Sequence, residues 1–196
     1  AFSCALHYAD PMGRNSEAIE EIRRALQLDP LSLISNLELG CASYYGRHYD
    51  QSIEQFRKTI ALDPNSLLAY YGLGRAYSGK KMYQEVVKEL GKAPVISWPP
   101  IVSELGYAHA RLGNKAEASR MIQELKEQRK HRYLDASLIA SMYVGLDDVP
   151  QTLDWLEKAY DERSLYMAWL KVEPKWDPLR SEPRFRALME HVGFAP

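Results

Sequence analysis

The tripeptide Leu-Asp-Pro occurs at Leu28-Asp29-Pro30 and again at Leu62-Asp63-Pro64, 34 residues further on. Self-similarity at a fixed step of about 20–50 residues is the mark of stacked supersecondary units, so this recurrence limits the fold more than any single motif does. The same step carries Leu39-Gly40 onto Leu73-Gly74. A step of 32 then reaches Leu105-Gly106, and a further 34 reaches Ile139-Ala140. Upstream, Gly13-Arg14-Asn15-Ser16-Glu17-Ala18 matches Gly113-Asn114-Lys115-Ala116-Glu117-Ala118. Five units result, at about 1–32, 33–66, 67–98, 99–132 and 133–163, with residues 164–196 left as a carboxyl-terminal cap.

The aligned columns have a packing logic. A small residue on the first helix of each unit, Gly40, Gly74, Gly106 or Ala140, marks where the second helix crosses it; Leu6 breaks this column. The second helix opens on a slim residue, Ala18, Ser52, Val86, Ala118 or Thr152, four places before a bulky one, Ile22, Phe56, Leu90, Ile122 or Leu156. Residues four apart share a helix face, and two backbones approach closely only where one side chain is small. Pro30 and Pro64 stop second helices because proline cannot continue the hydrogen-bond ladder. The spacing predicts ten repeat helices in antiparallel pairs with no strand.

Composition narrows the function. Lys and Arg number 25 against 26 Asp and Glu, for a formal net charge of −1, so no global basic field is present to hold nucleic acid or anionic lipid. The cysteines are Cys4 and Cys41, too few to staple a small secreted fold, and they read as reduced thiols in a cytoplasm. No apolar run approaches the roughly 20 residues of a membrane span. Ala1 lacks an initiator Met and opens within a helical pattern, which points to a piece excised from a longer chain.

With these columns in place, the chain resembles the tetratricopeptide repeat family. Its third unit carries Tyr70, Leu73, Gly74 and Tyr77 at that family's spacing, with Val86 where alanine is usual. The resemblance implies an all-α fold, a right-handed superhelical solenoid of antiparallel helix pairs ending in a capping helix. Pro94-Val95-Ile96-Ser97-Trp98-Pro99-Pro100 departs from it at the 32-residue step, so the second helix of the third unit should end early. In the tail, Ser181 is expected to N-cap a last helix reaching Val192, with Pro183 in its first turn and Gly193 as its stop. Leu170-Lys171-Val172 with Pro174, followed by Asp177-Pro178-Leu179-Arg180-Ser181 and Pro183-Arg184-Phe185, resembles the ends of such regions in large bacterial signalling proteins. There the array follows a winged-helix, protein kinase or nucleotide cyclase domain.

The family's first helices line a concave groove, and three columns would face it: Leu37, Tyr71, Ser103, Ser137; Cys41, Arg75, Tyr107, Ser141; and Tyr45, Gly79, Arg111, Gly145. Tyr and Arg dominate binding energy at protein interfaces. Leu37, Cys41, Tyr45, Tyr71, Arg75, Tyr107 and Arg111 are therefore the candidate peptide-binding residues. The clamp for a peptide's terminal carboxylate found in chaperone-binding members is missing, since Leu37, Glu38, Cys41 and Tyr71 fill the matching columns and Arg75 stands alone.

No catalytic site, cofactor or metal is expected. The five histidines, His7, His48, His109, His131 and His191, show no ligand spacing. Cys41 and His7 would both face the groove on neighbouring helices, but no orienting third group or oxyanion donor accompanies them. Gly72-Leu73-Gly74 follows no strand and is no phosphate loop. The run Lys126, Arg129, Lys130, His131, Arg132 reads as a solvated helix end that complements the helix dipole, with a patch for an anionic partner as the alternative. The reading is a non-catalytic module that binds a protein or peptide. The alternative is a regulatory or structural region that packs against an upstream effector domain or associates with itself as a homo-oligomer.

Overall fold

The computed structural model describes residues 15–194. The first helix expected in the first unit, with Cys4, Leu6 and His7, lies outside the described residues, as does the side chain of Ala18. Among the described residues every regular element is helical. They fall into two compact units that divide between Ile96 and Ser97.

The first unit contains α1 (Asn15–Leu28), α2 (Leu33–Tyr45), α3 (Tyr49–Leu62), α4 (Leu67–Gly79) and α5 (Tyr83–Leu90). Consecutive helices pack as pairs, and α2 also packs on α4. The slim column does what close crossing requires. Ser52 is fully buried and its hydroxyl donates to the Gly40 carbonyl at 2.8 Å. Four residues on, the Phe56 ring is wedged between two glycines: a Cβ on Gly40 would lie 2.7 Å from its Cε1, and one on Gly72 2.3 Å from its Cζ. Val86 and Leu90, both fully buried, repeat this pair on α5. That helix stops after eight residues, against 13 to 15 in α1, α3, α7 and α9, and Gly91 and Pro94 follow.

The Leu-Asp-Pro stop relies on its aspartate as well as its proline. Asp29 accepts the Leu31 N–H at 3.2 Å and Asp63 the Asn65 N–H at 3.0 Å, the local turn an Asx side chain makes with its own backbone. Ser32 then caps α2 by accepting the Ser35 N–H.

The second unit contains α6 (Pro99–Arg111), α7 (Lys115–Arg129), α8 (Ala136–Gly145), α9 (Val149–Asp161), 3₁₀ segments at Leu165–Trp169 and Pro174–Leu179, and α10 (Pro183–Val192). Second helices begin at 15, 49, 83, 115 and 149, and α10 at 183, so α10 continues the 34-residue step as the second helix of a sixth, degenerate unit. The 3₁₀ segments stand where its first helix would be. Pro174 and Pro178 deny that stretch a continuous hydrogen-bond ladder, yet Leu170, Trp176 and Leu179 still bury with Phe185 and Leu188 against Ala140, Val144 and Leu156. Glu182, not Ser181, occupies the N-cap of α10 and makes no side-chain cap bond there. The Ser181 carbonyl instead accepts from Arg186. Gly193, at φ +94°, ends the helix as its left-handed freedom allows.

A left-handed residue closes the first helix of each complete pair: Arg47, Lys81, Gly113 and Asp147, with φ between 59° and 83°. The following N–H returns to a carbonyl five residues back, as from Met82 to Tyr77 at 2.9 Å, which is the Schellman closure. This geometry costs a residue with a Cβ about 1–2 kcal/mol. Lys81→Gly should therefore raise stability by about 1 kcal/mol, moving the thermal midpoint up by about 2–4 °C. A lower midpoint would mean that the turn does not hold Lys81 in this conformation.

Candidate peptide-binding site

Leu37, Cys41 and Tyr45 follow one another at four-residue spacing on α2, and Tyr71 and Arg75 do so on the adjacent α4. The structure brings Tyr45, Tyr71 and Arg75 together. The Arg75 guanidinium carbon lies 4.2 Å from the Tyr44 ring centroid, 5.0 Å from that of Tyr45 and 5.5 Å from that of Tyr71, and Nη2 donates to the Tyr45 hydroxyl at 3.1 Å. Tyr44 and Tyr45 meet edge to face at 5.3 Å. Both are buried, whereas Leu37, Cys41, Tyr71 and Arg75 are half-buried. Three ring faces hold the cation by their quadrupoles. A guanidinium fixed in this way loses less conformational entropy when it meets an anion.

Tyr44 is absent from the sequence-derived columns because it sits one position off the groove register, on the core side. The adjacent pair Tyr44-Tyr45 was its signal: neighbouring aromatics on a helix point about 100° apart, so one can line a face while the other braces it from within.

In the second unit the columns are occupied differently. Ser103 and Ser141, expected on the groove, are buried. Their hydroxyls lie 2.6 Å apart, so one donates to the other, and the Leu138 carbonyl, 2.7 Å from Ser103 Oγ and 3.0 Å from Ser141 Oγ, accepts the remaining proton; together they join α6 to α8. Ser137 is also buried and donates to Asp135, the N-cap of α8. Tyr107 covers Gly145, where a Cβ would come within 2.8 Å of its ring. Lys175, from the second 3₁₀ segment, lies 4.7 Å above the Tyr107 centroid and pairs with Glu104. Arg111 reaches Asp147 at 2.7 Å.

Cys41 is half-buried on α2, while the histidine it was set against, His7, lies outside the described residues. Among the described residues, no three His, Cys, Asp or Glu side chains gather as metal ligands would, and no helix is long and apolar enough to cross a membrane.

A tetratricopeptide repeat family model matches residues 37–85, the stretch from Leu37 on α2 to the start of α5. The fold is similar to that of a thermophilic tetratricopeptide repeat protein of Thermus thermophilus, with a TM-score of 0.63 and 17% sequence identity over 92% of this chain and 91% of that one. No curated protein matches the sequence. The chain thus resembles a tetratricopeptide repeat in sequence over residues 37–85 and a tetratricopeptide repeat protein in fold over most of its length.

Proposed function

We propose that the chain is a non-catalytic, cytoplasmic interaction module that takes a peptide or protein segment on the face formed by α2 and α4. The tetratricopeptide fold generally serves protein–protein interaction, and the cluster of Arg75 with Tyr44, Tyr45 and Tyr71 is the observation that carries the choice of face. Leu37 and Cys41 extend the face along α2. Tyr107 and Arg111 hold the equivalent columns of the second unit and are candidates of that unit alone. The preferred ligand is an extended segment with acidic or aromatic side chains, which a guanidinium and tyrosine rings recognise by charge and stacking. Its affinity is micromolar, since a linear segment loses ordering entropy when it binds.

The test is capture from a cytosolic extract by the native chain beside an Arg75→Ala/Tyr71→Ala variant, with helicity checked by circular dichroism. Tyr107 is left intact because it packs between Gly145 and Lys175. A folded variant should lose partners by about tenfold or more. Equal capture by both would remove this face from consideration.

A second reading, a region docked against an effector domain of a larger bacterial signalling protein or against another copy, draws on a different feature. Leu31, Leu33, Ile34 and Leu68 are exposed, and Ile34 and Leu68 hold the same repeat position at the starts of α2 and α4. Exposed apolar side chains grouped in this way mark contact surfaces.

A further inference from the structure

The end of α7 and the adjoining stretch of α9 carry a concentration of charge that the α2 and α4 face does not use. Trp155, half-buried on α9, has three cations about its ring: Lys126 Nζ at 5.3 Å, Lys158 Nζ at 5.3 Å and the Arg129 guanidinium carbon at 5.7 Å from the centroid. Lys126 also donates to the Tyr143 hydroxyl at 2.8 Å. Next to them an open depression of about 620 Å³ is bounded by Arg129, Lys130, His131, Arg132, Tyr133 and Lys158, with Glu162 as its one carboxylate.

The countercharges are few. Glu162 pairs with Arg129, and Glu127 with Lys130 and His131. Asp135 caps α8 and accepts from Ser164 and from the Tyr133 hydroxyl. Lys126, Arg129, Lys130, Arg132 and Lys158 thus outnumber their carboxylates on a chain whose formal net charge is −1. An aromatic face attracts a cation without neutralising it. The like charges around Trp155 repel one another, and an anionic partner relieves that repulsion.

Tyr133 is 66% exposed at the rim. Partial burial and then the Asp135 and Glu162 carboxylates push its hydroxyl above the usual tyrosine range; the hydroxyl donates to Asp135 Oδ2 at 3.4 Å, which leaves the apolar ring to be covered.

We infer that this surface docks an acidic protein segment, with carboxylates of the segment on Lys130, Arg132 and Lys158 and an aromatic or aliphatic side chain over Tyr133. The patch is one depression at a helix end rather than a track that could follow successive phosphates, which favours a short acidic peptide over nucleic acid. It is separate from the Arg75 cluster and does not depend on the reading given to that face.

The experiment titrates a fluorescein-labelled peptide of Glu and Asp residues flanking a Tyr, read by anisotropy, with the Trp155 indole N–H followed by NMR. Native chain should bind it, and the Trp155 signal should shift. Lys130→Glu/Arg132→Glu/Lys158→Glu should weaken binding by about tenfold or more. The milder Lys130→Gln/Lys158→Gln should weaken it by a smaller factor if the reversals perturb the fold. Arg75→Ala/Tyr71→Ala should leave the Trp155 shift in place, which separates this surface from the α2 and α4 face. No Trp155 shift, or equal affinity in the charge variants, overturns the inference. So does a single-stranded oligonucleotide that displaces the peptide at equal charge.

Discussion

Phe56→Ala should lower stability by about 3–5 kcal/mol, the range for removing a fully buried aromatic ring. The ring is 1% exposed and fills the space that Gly40 and Gly72 leave open on two neighbouring first helices. A shift of the denaturant midpoint with an unchanged slope would report this loss. Gly72→Ala is the companion test, because its sign decides between two effects. Alanine is favoured over glycine inside a helix by about 0.5–1 kcal/mol, but the new Cβ would stand 2.3 Å from the ring, where no carbon can sit without displacing it. The expected result is destabilisation by about 1–3 kcal/mol. A more stable Gly72→Ala would show that the ring lies elsewhere.

Lys175→Met should cost about 3–5 kcal/mol, because it strands a charge. The Glu104 side chain is fully buried and that of Lys175 nearly so, and the two form an ion pair whose ammonium lies over the Tyr107 ring. Removing the ammonium leaves the fully buried Glu104 carboxylate without that countercharge. The double replacement Glu104→Leu/Lys175→Met removes both charges and should recover most of the loss, since buried pairs exchanged for apolar side chains are often neutral. Limited proteolysis should show earlier cleavage between Leu165 and Glu182 in the single variant, because Lys175 ties that stretch to α6. If the double replacement is as unstable as the single one, the pair is not the anchor.

The helix pairs were legible because crossing constrains both partners at once: a slim residue four places before a bulky one recurs from Ser52-to-Phe56 through Thr152-to-Leu156, and each of these is buried. Gly72 is readable from the sequence as a crossing glycine, but not its partner, because the ring that fills its space is the preceding unit's Phe56, a contact outside the unit's own spacing. The sixth unit was hidden for another reason. Its first-helix stretch is two short 3₁₀ segments, the second carrying Pro174 and Pro178, and these have no 3.6-residue periodicity, so from sequence the stretch reads only as a cap. The pair of Lys175 with Glu104 joins residues too far apart for any local pattern to announce.

At the candidate site, helical spacing placed Tyr45, Tyr71 and Arg75 on neighbouring faces, and the structure clusters them. The same spacing could not say that Ser103, Ser137 and Ser141 spend their hydroxyls inside the second unit, or that Arg111 reaches Asp147. A column gives the direction of a side chain. Neighbours decide whether it is used within the fold or offered outside it.

Hydrogen–deuterium exchange of the chain with a captured partner bears most directly on the claim that α2 and α4 form the working face. In the complex, amides along Leu33–Tyr45 and Leu67–Gly79 should exchange more slowly than in the free chain, and the Arg75→Ala/Tyr71→Ala variant should lose that protection. A stable complex in which both helices exchange as they do in the free chain would contradict the account.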